Sequence, residues 1–171
     1  SFKYLVTLSF LLIGFLGWGQ TTIVFNGAED TGTTWTISAN TFSNSSTNTG
    51  TPADRIKSGS KSFQANNGIK SLTTNSTSTS GYTNCFVEIW TASISTNATN
   101  GADNGDYIKV WTSNTSTFSS TPDITIDGTS NLRYGMSGTG IVTTTAGTAL
   151  TYDYPSGGTK TGSDAKSKLI V

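Results

Sequence analysis

The chain has 171 residues, with 10 basic and 10 acidic side chains and a formal net charge of zero. This length suits one domain plus a processed segment, and the balanced charge provides no broad field that would attract nucleic acid or an anionic membrane. The chain contains no His and one Cys. It therefore lacks the residues for a Ser-His-Asp triad, a Cys-His dyad, a His-ligated zinc site or a multi-Cys metal site.

The first 19 residues have the pattern of a secretory signal peptide. Lys3 supplies a positive charge, an apolar run follows at 4–16, and a small-Trp-small sequence at 17–19 precedes Gln20. The apolar run is shorter than the about 20 residues that a membrane crossing needs. We therefore predict a helical signal peptide at 1–19 that is cleaved before Gln20, in preference to a buried helix or a membrane anchor.

The part after Gln20 is rich in hydroxyl side chains and poor in charge. Ser and Thr supply 57 of the 171 residues, and charged residues make up 12%. Thr favours strands, whereas Ser, Asn and Gly favour turns, so this composition suits an extracellular β protein. Disorder is the alternative for such a polar chain, but regularly placed aromatic and Ile residues argue against it over the whole mature part.

Short β-type runs lie between Asn-Gly, Asp-Gly and Gly-Gly turn signals. Apolar and polar residues alternate with a period of two at 86–90 and again at 107–111, which is typical of strands with one face turned inward. No window after Gln20 has helical spacing. The runs predict strands at 21–26, 34–38, 61–65, 69–73, 85–92, 106–112, 123–127, 132–136, 141–145, 150–154 and 169–171.

Many short strands at this spacing predict an all-β fold, in the form of a two-sheet antiparallel β-sandwich that occupies 20–171. The polar stretches 43–50 and 75–81 are predicted to be exposed loops. The residues from 168 to 171 have the pattern of a strand that is just beginning. We therefore expect the chain to be a fragment of a longer protein, with an incomplete β-sandwich domain.

Four features together resemble a known family. They are GQTT at 19–22, Glu29-Asp30 followed by Trp35, GADNGDYIKVW at 101–111, and Ser/Thr/Gly-rich strands late in the chain. This pattern is similar to the N-terminal jelly-roll module, of the MAM or choice-of-anchor kind, in large secreted proteins of Bacteroidota-type bacteria. The resemblance covers most of 20–171. It implies a sandwich module whose protein is exported by the type IX secretion system.

The sequence departs from this family at its end. The family's closing strands, with a Trp-Ile-Asp-Asp-like stretch, and its C-terminal sorting domain do not occur here. The export route is therefore implied by the resemblance alone.

Four aromatic residues are candidates for a ligand-binding surface: Tyr82, Trp90, Tyr107 and Trp111. Trp90 and Trp111 share the phase of Glu88 and Lys109, which is the more polar face of their predicted strands. If those strands pair, the two rings form one exposed platform that can stack on sugar rings. The alternative is that this face packs against a second sheet or a loop, as Trp side chains usually do.

The best candidate for a metal site is the loop NGADNGD at 100–106. Asp103, Asn104 and Asp106 offer oxygen donors, and Glu29 or Asp30 could complete the six to eight oxygens that Ca²⁺ takes. The alternative is a plain hairpin turn built on Asn-Gly chemistry. Calcium is the one cofactor that the sequence suggests.

Two further residues carry expectations. Glu88 could act as a glycosidase general acid if its pKa were raised, but a solvent-facing strand residue is the bland alternative. Cys85 lies in an apolar run and is predicted to be a small core residue.

These observations favour a non-catalytic adhesion or carbohydrate-binding module, secreted or displayed on the outer cell surface. Its expected partners are polysaccharides or cell-surface glycans and the downstream domains of its own protein. Contact with a membrane is expected only through an uncleaved signal peptide. Two alternatives remain open, an accessory domain of a secreted hydrolase whose catalytic part lies downstream, and a structural spacer.

Overall fold

The computed structural model describes residues 22, 35–37, 43–45, 52–65, 68–97 and 99–171. Within these residues the regular structure consists of strands and one 3₁₀ turn at Gly162–Asp164, without any α-helix. The all-β prediction is therefore confirmed. The predicted signal peptide at 1–19 lies outside the described residues. No helix in the described part has the length and apolar character to cross a membrane.

Ten strands occur in the described part of the chain, each of three or four residues. They are β1 (Trp35–Ile37), β2 (Ser43–Ser45), β3 (Ser62–Gln64), β4 (Leu72–Thr74), β5 (Glu88–Trp90), β6 (Tyr107–Val110), β7 (Ile124–Asp127), β8 (Ile141–Thr143), β9 (Leu150–Asp153) and β10 (Lys168–Ile170). All except β2 overlap a run that was predicted to be a strand.

The strands form two pairs and two larger sheets. β1 pairs with β4, and β2 pairs with β3, both antiparallel. The larger sheets have the orders β5-β10-β8 and β6-β7-β9. Each of them is mixed, because β10 is antiparallel to β5 but parallel to β8, and β7 is antiparallel to β6 but parallel to β9.

The prediction of purely antiparallel sheets is therefore wrong for both three-stranded sheets. The chain alternates between them from β7 onward, since β7 and β9 lie in one sheet whereas β8 and β10 lie in the other. The two strands of each parallel pair are thus separated in the chain by one strand of the other sheet. Such a crossover is the connection that parallel pairing needs.

Both three-stranded sheets contribute to one buried hydrophobic cluster. Ile124 and Ile126 of β7 enter it from one sheet, and Val142 of β8 and Leu169 of β10 enter it from the other. Tyr134 and Tyr154 stack within it, with ring centroids 5.7 Å apart. The cluster also contains Val110, Leu132 and Ala165.

Three local predictions differ from the structure. The stretch 43–50 was predicted to be a loop, but its first three residues form β2, because pairing with β3 supplies backbone hydrogen bonds that the polar sequence does not announce. The run 132–136 is held by isolated bridges instead of a strand ladder. Cys85 is exposed instead of buried, since it lies ahead of β5 beside the half-exposed Phe86 and Val87. The predicted strand at 21–26 falls almost wholly outside the described residues.

Candidate ligand-binding face

The β6-β7-β9 sheet has one face turned to the core and one turned away from it. Val110, Ile124 and Ile126 belong to the buried cluster, and Leu150 and Tyr152 pack against it. Successive side chains of a strand point to opposite faces, so the residues between these lie on the other side, the outer face. In register across the three strands, the outer face carries Tyr107, Asp127 and Asp153 in one row, and Lys109, Thr125 and Thr151 in the next.

Two exposed aromatic side chains share the strand phase of this outer face. Tyr107 is 46% exposed and Trp111, one residue beyond the end of β6, is 38% exposed. Four residues of extended strand separate their Cα atoms by about 13 Å. A ligand that touched both rings would therefore be longer than a single sugar unit.

A groove of about 300 Å³ lies on the outer face between these strands and the segment that precedes β7. Its polar lining includes Lys109, Asp127 and three threonines, and Pro122 forms part of its wall. Lys109 and Asp127 do not form a salt bridge with each other, since the ion pair found among the described residues joins Lys168 to Glu88. The groove thus offers a ligand a cationic donor, an anionic acceptor and the hydroxyl groups of two exposed threonines, whereas the third, Thr125, is buried at 8% exposure. The three threonines are Thr121, Thr125 and Thr151.

Lys109 also covers one side of the Tyr107 ring. Its Nζ lies 3.9 Å from the ring centroid, which is the distance of a cation–π contact. Both residues are exposed, where such contacts contribute about 0.5–1 kcal/mol. A ligand of modest affinity could displace the lysine side chain from the ring.

Asp123 fixes the end of β6, where Trp111 projects. Its Oδ2 accepts hydrogen bonds from the Thr112 backbone N–H at 2.6 Å and from the Thr112 hydroxyl at 3.0 Å. Its Oδ1 accepts a hydrogen bond from the Gly147 N–H at 2.6 Å. Burial raises the pKa of this carboxyl, but the hydrogen bonds outweigh burial and the net pKa lies below its usual value. Asp123 could not be recognised as a positioning residue from the sequence, because its neighbours in the chain give no sign of the segments that converge on it.

Trp90 does not join this aromatic surface. It lies on β5, which pairs with β10, whereas β6 pairs with β7, so the strand pairing that a joint platform requires does not occur. Lys57 Nζ lies 3.3 Å from the centroid of the Trp90 ring, and Lys168 Nζ lies 5.3 Å from it. The indole Nε1 donates a hydrogen bond to Glu88 Oε1 at 2.7 Å. The ring therefore serves as a contact for two lysines.

Glu88 is held in its ionised form. A hydrogen bond from Lys168, which lies 2.8 Å away, lowers the pKa of its carboxyl, and the Trp90 indole and the charge of Lys57 lower it further. A glycosidase general acid needs the opposite shift. The bonding of Glu88 thus favours the bland interpretation of a solvent-facing strand residue.

Tyr82 is as exposed as Tyr107, at 48%, but it belongs to a different element. Its backbone N–H donates a hydrogen bond to Thr79 O at 3.1 Å, which places it in a turn ahead of β5. No hydrogen bond or ring contact in the described structure links it to the outer face of the β6-β7-β9 sheet.

The loop at 100–106 forms a tight turn whose carboxylates bind backbone groups. Asp106 Oδ2 accepts a hydrogen bond from the Asp103 N–H at 2.9 Å, and Asp103 Oδ1 accepts one from the Asn131 N–H at 2.7 Å. Gly105 has a φ of 94°, a left-handed conformation that suits glycine. This pattern matches a plain turn, but not a hairpin, because Ala102 ahead of the turn bridges Leu132 whereas β6 after it pairs with β7.

The calcium hypothesis for this loop stays a prediction. The described residues contain no group of three or more His, Cys, Asp or Glu side chains that could hold a metal ion. Asp103, Asn104 and Asp106 lie together in the turn, whereas Glu29 and Asp30, the proposed additional donors, lie outside the described residues.

The strand order, the shared core and the outer face define an all-β protein with a polar groove and two exposed aromatic side chains on one sheet. Comparisons with protein-family models, with curated proteins and with solved structures found no match for this chain.

Proposed function

We propose that the protein is a secreted or cell-surface, non-catalytic binding module that takes polysaccharide on the outer face of the β6-β7-β9 sheet. The observation that carries the proposal is the exposure of Tyr107 and Trp111 in one strand phase, beside a groove lined by Lys109 and Asp127. The residue pattern of the leading 19 residues supports export. On this proposal the mature chain has Gln20 at its N-terminus, which mass spectrometry of the exported protein would test.

The scaffold that we propose for this face is a jelly-roll-like β-sandwich. Support comes from the buried cluster, to which both three-stranded sheets contribute side chains. In such an arrangement the inner faces are packed and rigid, and the outer faces are free to hold aromatic side chains in fixed positions. The resemblance to jelly-roll modules of secreted proteins exported by the type IX secretion system points the same way.

The chemistry of the outer face suits a glycan chain. Aromatic rings present flat apolar surfaces that can stack on the apolar faces of sugar rings. Lys109 and the threonine hydroxyls donate hydrogen bonds, whereas Asp127 accepts them, and sugar hydroxyls can serve as both partners.

The test is binding of the full chain to a panel of soluble polysaccharides, measured by affinity electrophoresis. We expect Trp111→Ala and Tyr107→Ala each to weaken binding by about fivefold or more, because truncation of an aromatic anchor typically costs more than about 1 kcal/mol. Tyr82→Ala is the matched control, since this equally exposed ring lies outside the sheet.

Two outcomes would contradict the proposal. Binding that survives both outer-face substitutions, or that Tyr82→Ala weakens equally, would place the ligand elsewhere on the molecule. A chain that binds no polysaccharide of the panel would favour the structural spacer.

A further inference from the structure

The free edge of β8 differs from the other edges of the two larger sheets. β8 lies at the end of the order β5-β10-β8, so a strand pairs with it on one side within the described structure. Val142 points into the core and is 4% exposed, whereas Ile141 on the opposite face is 50% exposed. A large β-branched side chain therefore stands in solvent at the rim of the sheet.

The backbone groups on this edge are also open to pairing. β10 bonds to β8 through alternate residues, with Lys168 N donating to Gly140 O at 3.2 Å and Thr144 N donating to Ile170 O at 3.0 Å. In a parallel ladder the intervening residues direct their N–H and C=O groups away from that partner. Ile141 and Thr143 therefore direct theirs toward the free side.

Among the four strands at the edges of the two three-stranded sheets, β8 differs from the others in charge. β5 carries Glu88, β6 carries Lys109 and β9 carries Asp153, whereas β8 carries no charged residue. Its surroundings, residues 139–148, contain neither charge nor Pro. Charged side chains and Pro are the usual protection of an edge strand against pairing with another chain. The β8 edge has neither protection.

We propose that β8 is a self-association surface, where it pairs antiparallel with β8 of a second copy about a two-fold axis at Val142. In this register Ile141 of each copy faces Thr143 of the other, and β-branched pairs of this kind stabilise antiparallel strands. A charge-free edge fits an identical partner, because self-pairing about a two-fold axis brings equal charges of a charged edge near each other.

The experiment compares three versions of the exported chain, which on our proposal begins at Gln20, under reducing conditions, so that the exposed Cys85 cannot link copies. They are the natural chain, the double variant Ile141→Lys/Thr143→Lys and the double variant Ile141→Lys/Thr143→Glu. The first variant places Lys opposite Lys twice across the axis, and the second places Lys opposite Glu twice. Association is measured by analytical ultracentrifugation over a range of concentrations, and the fold of each chain is checked by circular dichroism.

We expect the natural chain to dimerise, and the Lys/Lys variant to associate about tenfold or more weakly than the Lys/Glu variant. Amide hydrogen exchange should show protection of Ile141 and Thr143 that rises with concentration in the natural chain and is lost in the Lys/Lys variant. A natural chain that stays monomeric, or a Lys/Lys variant that dimerises as well as the Lys/Glu variant, would overturn the proposal. Concentration-independent protection of the two amides would show that a segment of the same chain covers the edge.

Discussion

At the scale of single residues, Asp123 shows how a buried carboxylate positions an exposed aromatic ring. Asp123 is 5% exposed and joins the end of β6 to the loop between β8 and β9 through its bonds to Thr112 and Gly147. Hydrogen bonds from backbone N–H groups to a buried carboxylate are stronger than those between neutral groups. Trp111 immediately precedes Thr112 in the chain. The position of its ring therefore depends on the hydrogen bonds between Thr112 and this carboxylate.

Asp123→Asn should destabilise the protein at neutral pH by about 1–3 kcal/mol, because the amide turns a donor toward N–H groups that need an acceptor. The folded-state pKa of Asp123 lies below its ordinary value of 3.8. The stabilisation that its charge supplies is therefore present above that ordinary value and is lost as the pH falls through the folded-state pKa. Urea unfolding at pH 7 and near pH 3 should show a difference between the two chains that shrinks in acid.

The control for this prediction is Asp153→Asn, which alters an exposed carboxylate on β9 of the same sheet. This change should affect the free energy of unfolding within about 0.5 kcal/mol. A loss for Asp123→Asn that was the same at both pH values would show that packing, instead of the charge of Asp123, accounts for the effect.

The sequence predicts which face of a strand each side chain occupies. It does not predict whether another segment of the chain covers that side chain. The alternation at 107–111 correctly placed Tyr107 and Trp111 on the face opposite Val110. The alternation at 86–90 placed Trp90 on the polar face of β5 in the same way. Lys57 nevertheless covers its ring, although Lys57 lies more than 30 residues away in the chain. Period two fixes which face a residue occupies, whereas distant segments decide whether that face is open.

At the scale of elements, the sequence predicted the position of the turn at 100–106 but not all of its hydrogen bonds. The Asn-Gly signals correctly located a turn ahead of β6. They did not indicate that the N–H of Asn131 would donate a hydrogen bond to Asp103 Oδ1, because that bond joins residues 28 positions apart in the chain. Whether the remaining oxygens of the turn bind a cation depends on donors outside it.

Calcium binding at this turn is tested by thermal unfolding with and without a chelator. If the site is filled at about 100 times its dissociation constant, calcium should stabilise the protein by about 2.7 kcal/mol and raise its melting temperature. Asp103→Asn should reduce this increase, because it removes one carboxylate donor. An identical melting temperature in both buffers would eliminate the calcium hypothesis.

At the scale of the whole molecule, strand positions were predictable, whereas strand order was not. Nine predicted runs overlap strands, because each run shows its own period-two pattern or β-branched content. Strand pairing depends on which strands meet in space. The residues of a single run do not indicate that β7 to β10 alternate between two sheets. The parallel pairs β7–β9 and β8–β10 therefore appear only in the structure.

The shared core makes a prediction about cooperativity that tests the proposed sandwich. Leu169 of β10 is fully buried in the cluster that Ile124 and Ile126 of the other sheet also enter. Leu169→Ala should lower the free energy of unfolding by about 2–5 kcal/mol, because it leaves a cavity between side chains from both sheets. Amide hydrogen exchange should then speed up in β7 as much as in β10, since both sheets unfold as one unit.

Ile141→Ala is the control for this prediction, because Ile141 lies in the same sheet as Leu169 but is 50% exposed. This substitution should change exchange little, and the comparison is made at a concentration at which the natural chain is monomeric. Faster exchange confined to β5, β8 and β10 after Leu169→Ala would mean that the two sheets unfold separately. The outer face of the β6-β7-β9 sheet would then need a different source of rigidity, and a single sandwich scaffold could not provide it.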